Sequence, residues 1–522
     1  MEKRALIAIA ISFVILFLYQ YFFIKPEPQQ TQKKTEVVKK EGTVPVKPLE
    51  LPASPKATAG EKEIKVDTEF YSAVFTTRGG TLKHYEIKMY KDKAGNNVVL
   101  LKSQGLEPPL SIGSTDNFTL SDANFQTSGQ DITLNKDKVS DSLIFEYADA
   151  ELSVRRTYTF YSNDYRINVK DEVSGLPDYW ITIGNDFGIY DRKDSSSHIG
   201  PVLLTGTKRV EPKLKEVESY RDDLKWIAQE DKYFFASLVP LTPMEEARAW
   251  KKNDIPLVAF RGKPAANSFI LYAGPKEYDR LKALHVGLEH IVDFGFFSIL
   301  AVPLFWTLKL FYNVLGNYGW SIVLLTIIIR IPFIPLMNKS QKSMKKMQEL
   351  QPKMAEVREK FKKDPQRMQR EMMDLYKKYK VNPLGGCLPI LLQIPVFFAL
   401  YKILMIAIEL RGAPFMLWLK DLSAPDTLFG HIPSWFPLIG GFAVGPLPIL
   451  MGATMIIQQK MTPTSMDPAQ NRMMMFMPII FTFLFLNFAT GLVLYWLMNN
   501  VFSIAQQLYV NRKLKTESQP SP

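Results

Sequence analysis

One arginine interrupts an otherwise uncharged apolar run: Arg330, within YGWSIVLLTIIIRIPFIPLM (318–337). At helical rise it lies about 16 Å from Gly319 and about 10 Å from Met337, so a spanning helix holds it inside the bilayer, nearer the Met337 end. A guanidinium at that depth costs about 2.5–3.5 kcal/mol on insertion scales, which favours a polar cavity over lipid. Thr326 sits one turn earlier on the same face, favouring a hydrated groove, and Pro332 and Pro335 permit a kink just beyond. Such a site attracts anionic groups; it makes and breaks no bonds. Two plainer readings stand beside it: snorkelling of the guanidinium to the inner headgroups, and pairing with a carboxylate such as Glu409.

A second chemical signal is methionine. Met347, Met354, Met368 and Met372 fall in a charged stretch, and Met473, Met474 and Met475 crowd the entrance of a later apolar run. Unbranched, polarizable side chains adapt to varied hydrophobic partners, so these residues are candidates to receive an apolar substrate segment. Core filling explains the regularly spaced ones equally well. Other chemistry finds no support. There is no G-x-x-x-x-G-K-[ST], HExxH or G-x-S-x-G motif, only one cysteine (Cys387), and five histidines without ligand spacing. No ATP hydrolysis, metal or other cofactor is expected, and the chain does not read as an enzyme.

The elements that must position these residues follow from where the apolar residues lie. Hydrophobic residues make up 47% of the 522, but the long uncharged runs sit at the two ends of the chain. Residues 1–24 hold a run (5–24) long enough to cross the bilayer. It is longer than a typical signal h-region and ends in Lys25-Pro26-Glu27-Pro28 without a small-residue cleavage site, so it reads as a retained anchor. Residues 25–60, rich in Pro, Lys, Glu and Thr, form a flexible linker. From 61 to 278, short period-two runs such as LSVRRTYTFY and YRINVKDEV alternate with turn clusters, which predicts an all-β sandwich. Residues 279–316 have helical spacing broken by charges and Pro303. They read as an amphipathic interfacial helix anchored by Phe305, Trp306 and Phe311.

Residues 317–510 form the membrane core, with spans at 318–337, 384–408 and 435–457 and two more within 473–510. With the anchor, that makes a polytopic α-helical membrane protein of six transmembrane helices, with both termini, including the tail 511–522, on the cytoplasmic side. Charge agrees with this topology. Residues 339–380 hold 14 Lys plus Arg against 6 Asp plus Glu on the side the span count makes cytoplasmic, whereas residues 25–290 hold 38 against 39. Within 339–380, Met347, Leu350, Met354, Val357 and Phe361 recur at spacings of three and four. Asp364-Pro365 then starts a second helix with the seam Met368, Met372, Leu375 and Tyr379. An antiparallel helical hairpin in the cytoplasm is predicted. Its basic faces are either solvated or lipid-bound, or dock an acidic partner or ribosomal RNA without sequence-specific nucleic-acid readout.

The stretch KYKVNPLGGCLPILLQIPVFFALYKIL (378–404), LQPKM (350–354) and GLVLYW (491–496) resemble the YidC family of membrane protein insertases, over residues 290–510 with the motifs in order. The anchor and large β domain are similar to its Gram-negative bacterial form. That resemblance implies a bacterial inner-membrane protein with a five-helix insertase core, a cytoplasmic hairpin and a periplasmic β-supersandwich. It further implies a groove open to cytoplasm and lipid, in which Arg330 and Thr326 match the family's groove arginine and threonine. The closing motif, commonly Tyr-Tyr, reads Tyr495-Trp496 here, and the resemblance implies that both residues line the groove, with an aromatic substrate contact at 496. Implied partners are nascent membrane proteins, the Sec translocon, the ribosome and membrane lipids. Two rivals stay open: a small-anion transporter, though no internal repeat is visible, and a tethered sugar-modifying enzyme, though no paired-carboxylate site stands out.

Overall fold

The computed structural model describes residues 60–102, 107–192, 194, 197–379, 381, 388–436, 440–461 and 468–517; the side chains of 388–392, 468–474 and 513–517 are outside the description. The anchor 1–24, the linker up to residue 59 and the tail from 518 lie outside the described residues, so the expectations made for them have no counterpart here. The chain divides into two compact units, one ending at Asp293 and one resuming at Phe294.

The first unit is β-rich, with strands running from Glu63 to Pro275 in two five-stranded sheets and one eight-stranded sheet. In the largest sheet, Phe234–Pro240, Ala266–Pro275, Arg166–Ser174 and Ser153–Tyr161 are successive antiparallel neighbours. The period-two expectation holds there: Val154, Arg156, Tyr158 and Phe160 face inward, as do Ile167, Val169, Asp171 and Val173 opposite them. An arginine and an aspartate thus occupy core positions, at register partners. The unit reaches further than the predicted boundary at 278. Helix α1 (Tyr278–Ala283) and a 3-10 turn (Leu288–Ile291) bury Leu281, Leu288 and Ile291, and Trp226 Nε1 donates to Gly287 O at 3.0 Å. The expected interfacial helix 279–316 is therefore divided, because its first fifteen residues carry apolar side chains that pack against the β-rich unit, beside Leu204 and Trp226.

The second unit is helical: α2 (Ser298–Leu315), α3 (Tyr318–Arg330), α4 (Ile334–Glu349), α5 (Gln351–Lys360), α6 (Pro365–Lys378), α7 (Leu388–Ile406), α8 (Pro446–Met461), α9 (Pro468–Phe485) and α10 (Thr490–Glu517). α10 is its centre, touching α3, α4, α7 and α8. Helix α2 is long and apolar enough to cross a membrane, as is the run from Tyr318 through α4. It turns Ile299, Trp306 and Val314 outward and Ala301, Phe305 and Leu308 inward, so Phe305 packs in the bundle and is not the interfacial anchor expected of it. Outward apolar residues on α2, α3, α8, α9 and α10 form far more exposed apolar surface than a water-soluble domain tolerates, as lipid contact requires. Helices α8 and α9 approach closely at Gly452, where a Cβ would collide with Thr482 Oγ1.

The kink expected after Arg330 is a 3-10 turn over Ile331–Phe333, where Pro332 has no N–H to continue the α-helical ladder. Beyond it, α4 joins the lower end of the span to the hairpin as one helix. Helices α5 and α6 pair, and Met347, Leu350, Met354 and Val381 form a core against which Met372, Leu375 and Tyr376 pack. Tyr376 takes the seam position expected of Tyr379, which is exposed. Asp364 accepts from Arg367 N at 3.1 Å as the N-cap of α6. Asp364→Ala should cost α6 about 1 kcal/mol, read as about fivefold faster hydrogen exchange across its first turns.

Candidate functional site

Three helices bring polar groups to one place in the helical unit, and a fourth closes it with an apolar side chain. Thr326, Ile329 and Arg330 come from α3, Phe333 from the turn, Met337 from α4, Gln393 and Val396 from α7, and Tyr495 and Asn499 from α10. Together they line a small cavity that opens at one side. The walls are mixed: apolar Ile329, Phe333, Met337 and Val396 alternate with amide, hydroxyl and phenol groups.

Arg330 is held by neutral oxygens of α10. One terminal nitrogen donates to Asn499 O (2.8 Å), Asn499 Oδ1 (2.8 Å) and Ser503 Oγ (2.9 Å); the other donates to Gln506 Oε1 (3.0 Å). Tyr495, Asn499, Ser503 and Gln506 follow one another at spacings of four, four and three, so they share a helix face. Among the described residues no carboxylate lies within ion-pair distance of Arg330. Glu409, the sequence candidate for that role, lies 3.5 Å from Lys309 of α2 instead. The guanidinium is thus oriented by neutral groups and not neutralised by a carboxylate among the described residues. Gln506 also donates to Asn338 Oδ1 at 2.9 Å, which ties the arginine to the helix that becomes the hairpin.

Of the other sequence candidates, Thr326 is buried in the cavity wall with its hydroxyl donating to Ile322 O at 2.7 Å. Tyr495 is buried and its hydroxyl accepts from Gln393 Nε2 at 3.4 Å. Trp496 points elsewhere: it packs edge-on to Phe397 with centroids 4.9 Å apart and against Phe485 at 5.2 Å. One position along a helix turns a side chain by about 100°, so the Tyr495 and Trp496 rings cannot share the groove. The proposed reception methionines also divide. Met354 is 2% exposed and Met347 is buried with it in the hairpin core, so both are packing residues; an antiparallel pair must bury its seam. Met368 and Met372 are half-buried, Met475 is 61% exposed, and the side chains of Met473 and Met474 lie outside the described residues. Sequence reasoning missed Gln393, Asn499, Ser503, Gln506 and Asn338. The polar periodicity within the apolar run 491–510 was the available signal for three of them.

Among the described residues no group of three or more His, Cys, Asp or Glu side chains could hold a metal ion. The charged clusters of the β-rich unit are ion pairs. Glu246, for example, is buried; that burial raises its proton affinity, but Ser219 and Arg248 more than reverse the effect and leave its pKa lowered.

Residues 310–517 match the family model described as 60Kd inner membrane protein, and residues 63–307 match that of the YidC periplasmic domain. The chain is similar to the membrane protein insertase YidC of Geotalea daltonii, 40% identical over 544 residues, covering 98% of this chain and 100% of that one. The corresponding insertases of Syntrophus aciditrophicus and Pelobacter propionicus are 38% and 39% identical, over 98% of this chain and 100% and 99% of theirs. Likeness of that extent, spanning both the β-rich unit and the helices that hold Arg330, settles the family: the chain belongs to the YidC family of membrane protein insertases.

Proposed function

We propose that this insertase receives the hydrophilic tail of a newly made membrane protein in the Arg330 cavity while the adjoining apolar segment leaves sideways into lipid. The observation that carries this reading is an arginine positioned by four oxygens of α10 and balanced by no carboxylate among the described residues. Acidic tail residues gain a charge-assisted hydrogen bond there, which offsets part of the cost of leaving water. Transfer of the apolar segment from the exposed Met475 and Phe476 of α9 into the bilayer supplies the driving force, so no nucleotide is consumed. Six spans, cytoplasmic termini and hairpin, and a periplasmic β-supersandwich complete the topology, on the support of the positive-inside bias. The basic hairpin suits a ribosome delivering the nascent chain, and the Sec translocon suits substrates with large translocated domains.

The test is insertion of a single-span protein with a short acidic tail into liposomes with and without this protein, in the absence of ATP. A higher protease-protected fraction supports the reading; no effect across several such substrates overturns it. Gln506→Glu sharpens the result. A carboxylate where Oε1 now lies 3.0 Å from the guanidinium cancels the cavity's charge. Acidic-tailed insertion should fall several-fold toward the rate of the same substrate with a neutral tail.

A further inference from the structure

The segment between α7 and α8 carries an apolar structure that the cavity does not use. No Asp, Glu, Lys or Arg occurs between Asp426 and Lys460. Within it, residues 429–432 are hydrogen-bonded to residues 441–444. Phe429 N donates to Val444 O (2.9 Å), and Val444 N to Gly430 O, Ile432 N to Phe442 O and Gly441 N to Ile432 O (2.8 Å each). Gly430 and Gly441 both take φ of +85°, which lets the chain turn. The outward side chains are Leu428, Phe429, Trp435 and Phe436, with Trp435 79% and Phe429 63% exposed. The Trp435 indole N–H has no hydrogen-bond partner among the described residues, and its ring lies 5.8 Å from that of Phe436.

This loop is held stiffly at its base. Asp426 is buried and accepts from Trp418 Nε1 (3.1 Å) and from Leu447 N (2.9 Å) in the first turn of α8. Thr490 N and Gly491 N, which open α10, donate to Ala424 O and Leu422 O at 2.8 Å. Asn317, the N-cap of α3, donates to Phe415 O at 3.0 Å. The loop therefore stands at the end of the bundle where α3, α8 and α10 begin, opposite the charged hairpin. Its apolar face continues into α8, which turns Ile449, Leu450, Ile456 and Ile457 outward along the surface that must meet acyl chains.

We infer that the Leu428, Phe429, Trp435 and Phe436 face is a lipid anchor, inserted at the headgroup and acyl-chain boundary of the leaflet opposite the hairpin. The chemistry fits that occupant. There is no charge to desolvate, the aromatic rings suit the interface, and an unpartnered indole N–H can reach lipid carbonyls or interfacial water. Continuity with the α8 stripe places the face beside lipid and not beside bulk water. Because the base is bonded to the first residues of α10, the depth of this anchor sets the depth of the helix that carries Tyr495 and Asn499. The inference does not depend on Arg330 meeting substrate.

The full-length protein, with Cys387→Ser and Ser434→Cys, is labelled with an environment-sensitive fluorophore and reconstituted into phosphatidylethanolamine and phosphatidylglycerol vesicles. Asn163→Cys, on an exposed turn of the β-rich unit, is the water reference. Quenching by aqueous iodide should be several-fold weaker at 434 than at 163, and lipids with a nitroxide near the headgroup should quench 434 strongly. Free access of iodide to 434 overturns the proposal. Protection from iodide without quenching by the labelled lipid also overturns it, since protein then covers the face. Where labelling disturbs the loop, the emission lost in Trp435→Phe serves instead: it should be quenched by brominated lipid, and if it is not, the anchor is rejected.

Discussion

Arg330→Glu lowers insertion of acidic-tailed substrates about tenfold or more and that of neutral-tailed ones about twofold at most, by removing a charge-assisted hydrogen bond and placing like charge before the tail. The asymmetry is the informative part. A guanidinium that only braced α3 against α10 through Asn499, Ser503 and Gln506 would, on replacement, weaken the bundle and slow every substrate equally. Arg330→Lys separates charge from geometry. It keeps the cation but cannot reach Asn499, Ser503 and Gln506 together, so the preference for acidic tails should survive at a reduced rate. Initial rates of protease-protected insertion into liposomes, for paired substrates that differ only in tail charge, decide between these outcomes. Equal losses for both tails would reduce Arg330 to a structural brace.

What the sequence revealed of this site, and what it concealed, follows from the range of the forces involved. Arg330 was legible because a charge in an apolar run has a cost computable from its position alone, and Thr326 because helical periodicity is local. The β-rich unit and the hairpin were legible for the same reason: period two and period 3.5 are written into short windows. The partners of Arg330 were not, because Asn499, Ser503 and Gln506 lie about 170 positions away and become neighbours only when α10 docks against α3. Periodicity also identifies a seam without saying what occupies its far side. Met347 and Met354 read as a receptive surface until α6 is seen to cover them. The division of 279–316 was hidden for a similar reason: Leu281, Leu288 and Ile291 look like one face of an interfacial helix, but they pack against the β-rich unit.

The inward arginine of the β-rich unit leads to the largest stability effect expected of any single change there. Arg156 and Asp171 are register partners on adjacent strands, both fully buried, with Nε to Oδ1 at 2.8 Å and the second terminal nitrogen to Oδ2 at 2.9 Å. Tyr179 also donates to Oδ2 at 2.6 Å, and Arg156 donates to Leu110 O at 2.6 Å, so the pair binds three strands and a loop together. Burial by itself would lower the proton affinity of the guanidinium; the Asp171 carboxylate reverses that, and the pKa ends above its ordinary value. Asp171→Asn keeps the volume but deletes the charge that makes the arginine tolerable there. The expected cost is about 3–5 kcal/mol, the penalty for stranding one member of a buried pair. Chemical unfolding of the full-length protein in detergent, followed through the buried Trp180 and Trp226, reads it as a lowered midpoint for the β-rich unit. The double variant Arg156→Met/Asp171→Leu distinguishes the cause. If desolvated charge is the source of the loss, removing both charges recovers most of the stability, whereas a loss that persists in the double variant assigns the effect to the hydrogen bonds of Leu110 and Tyr179.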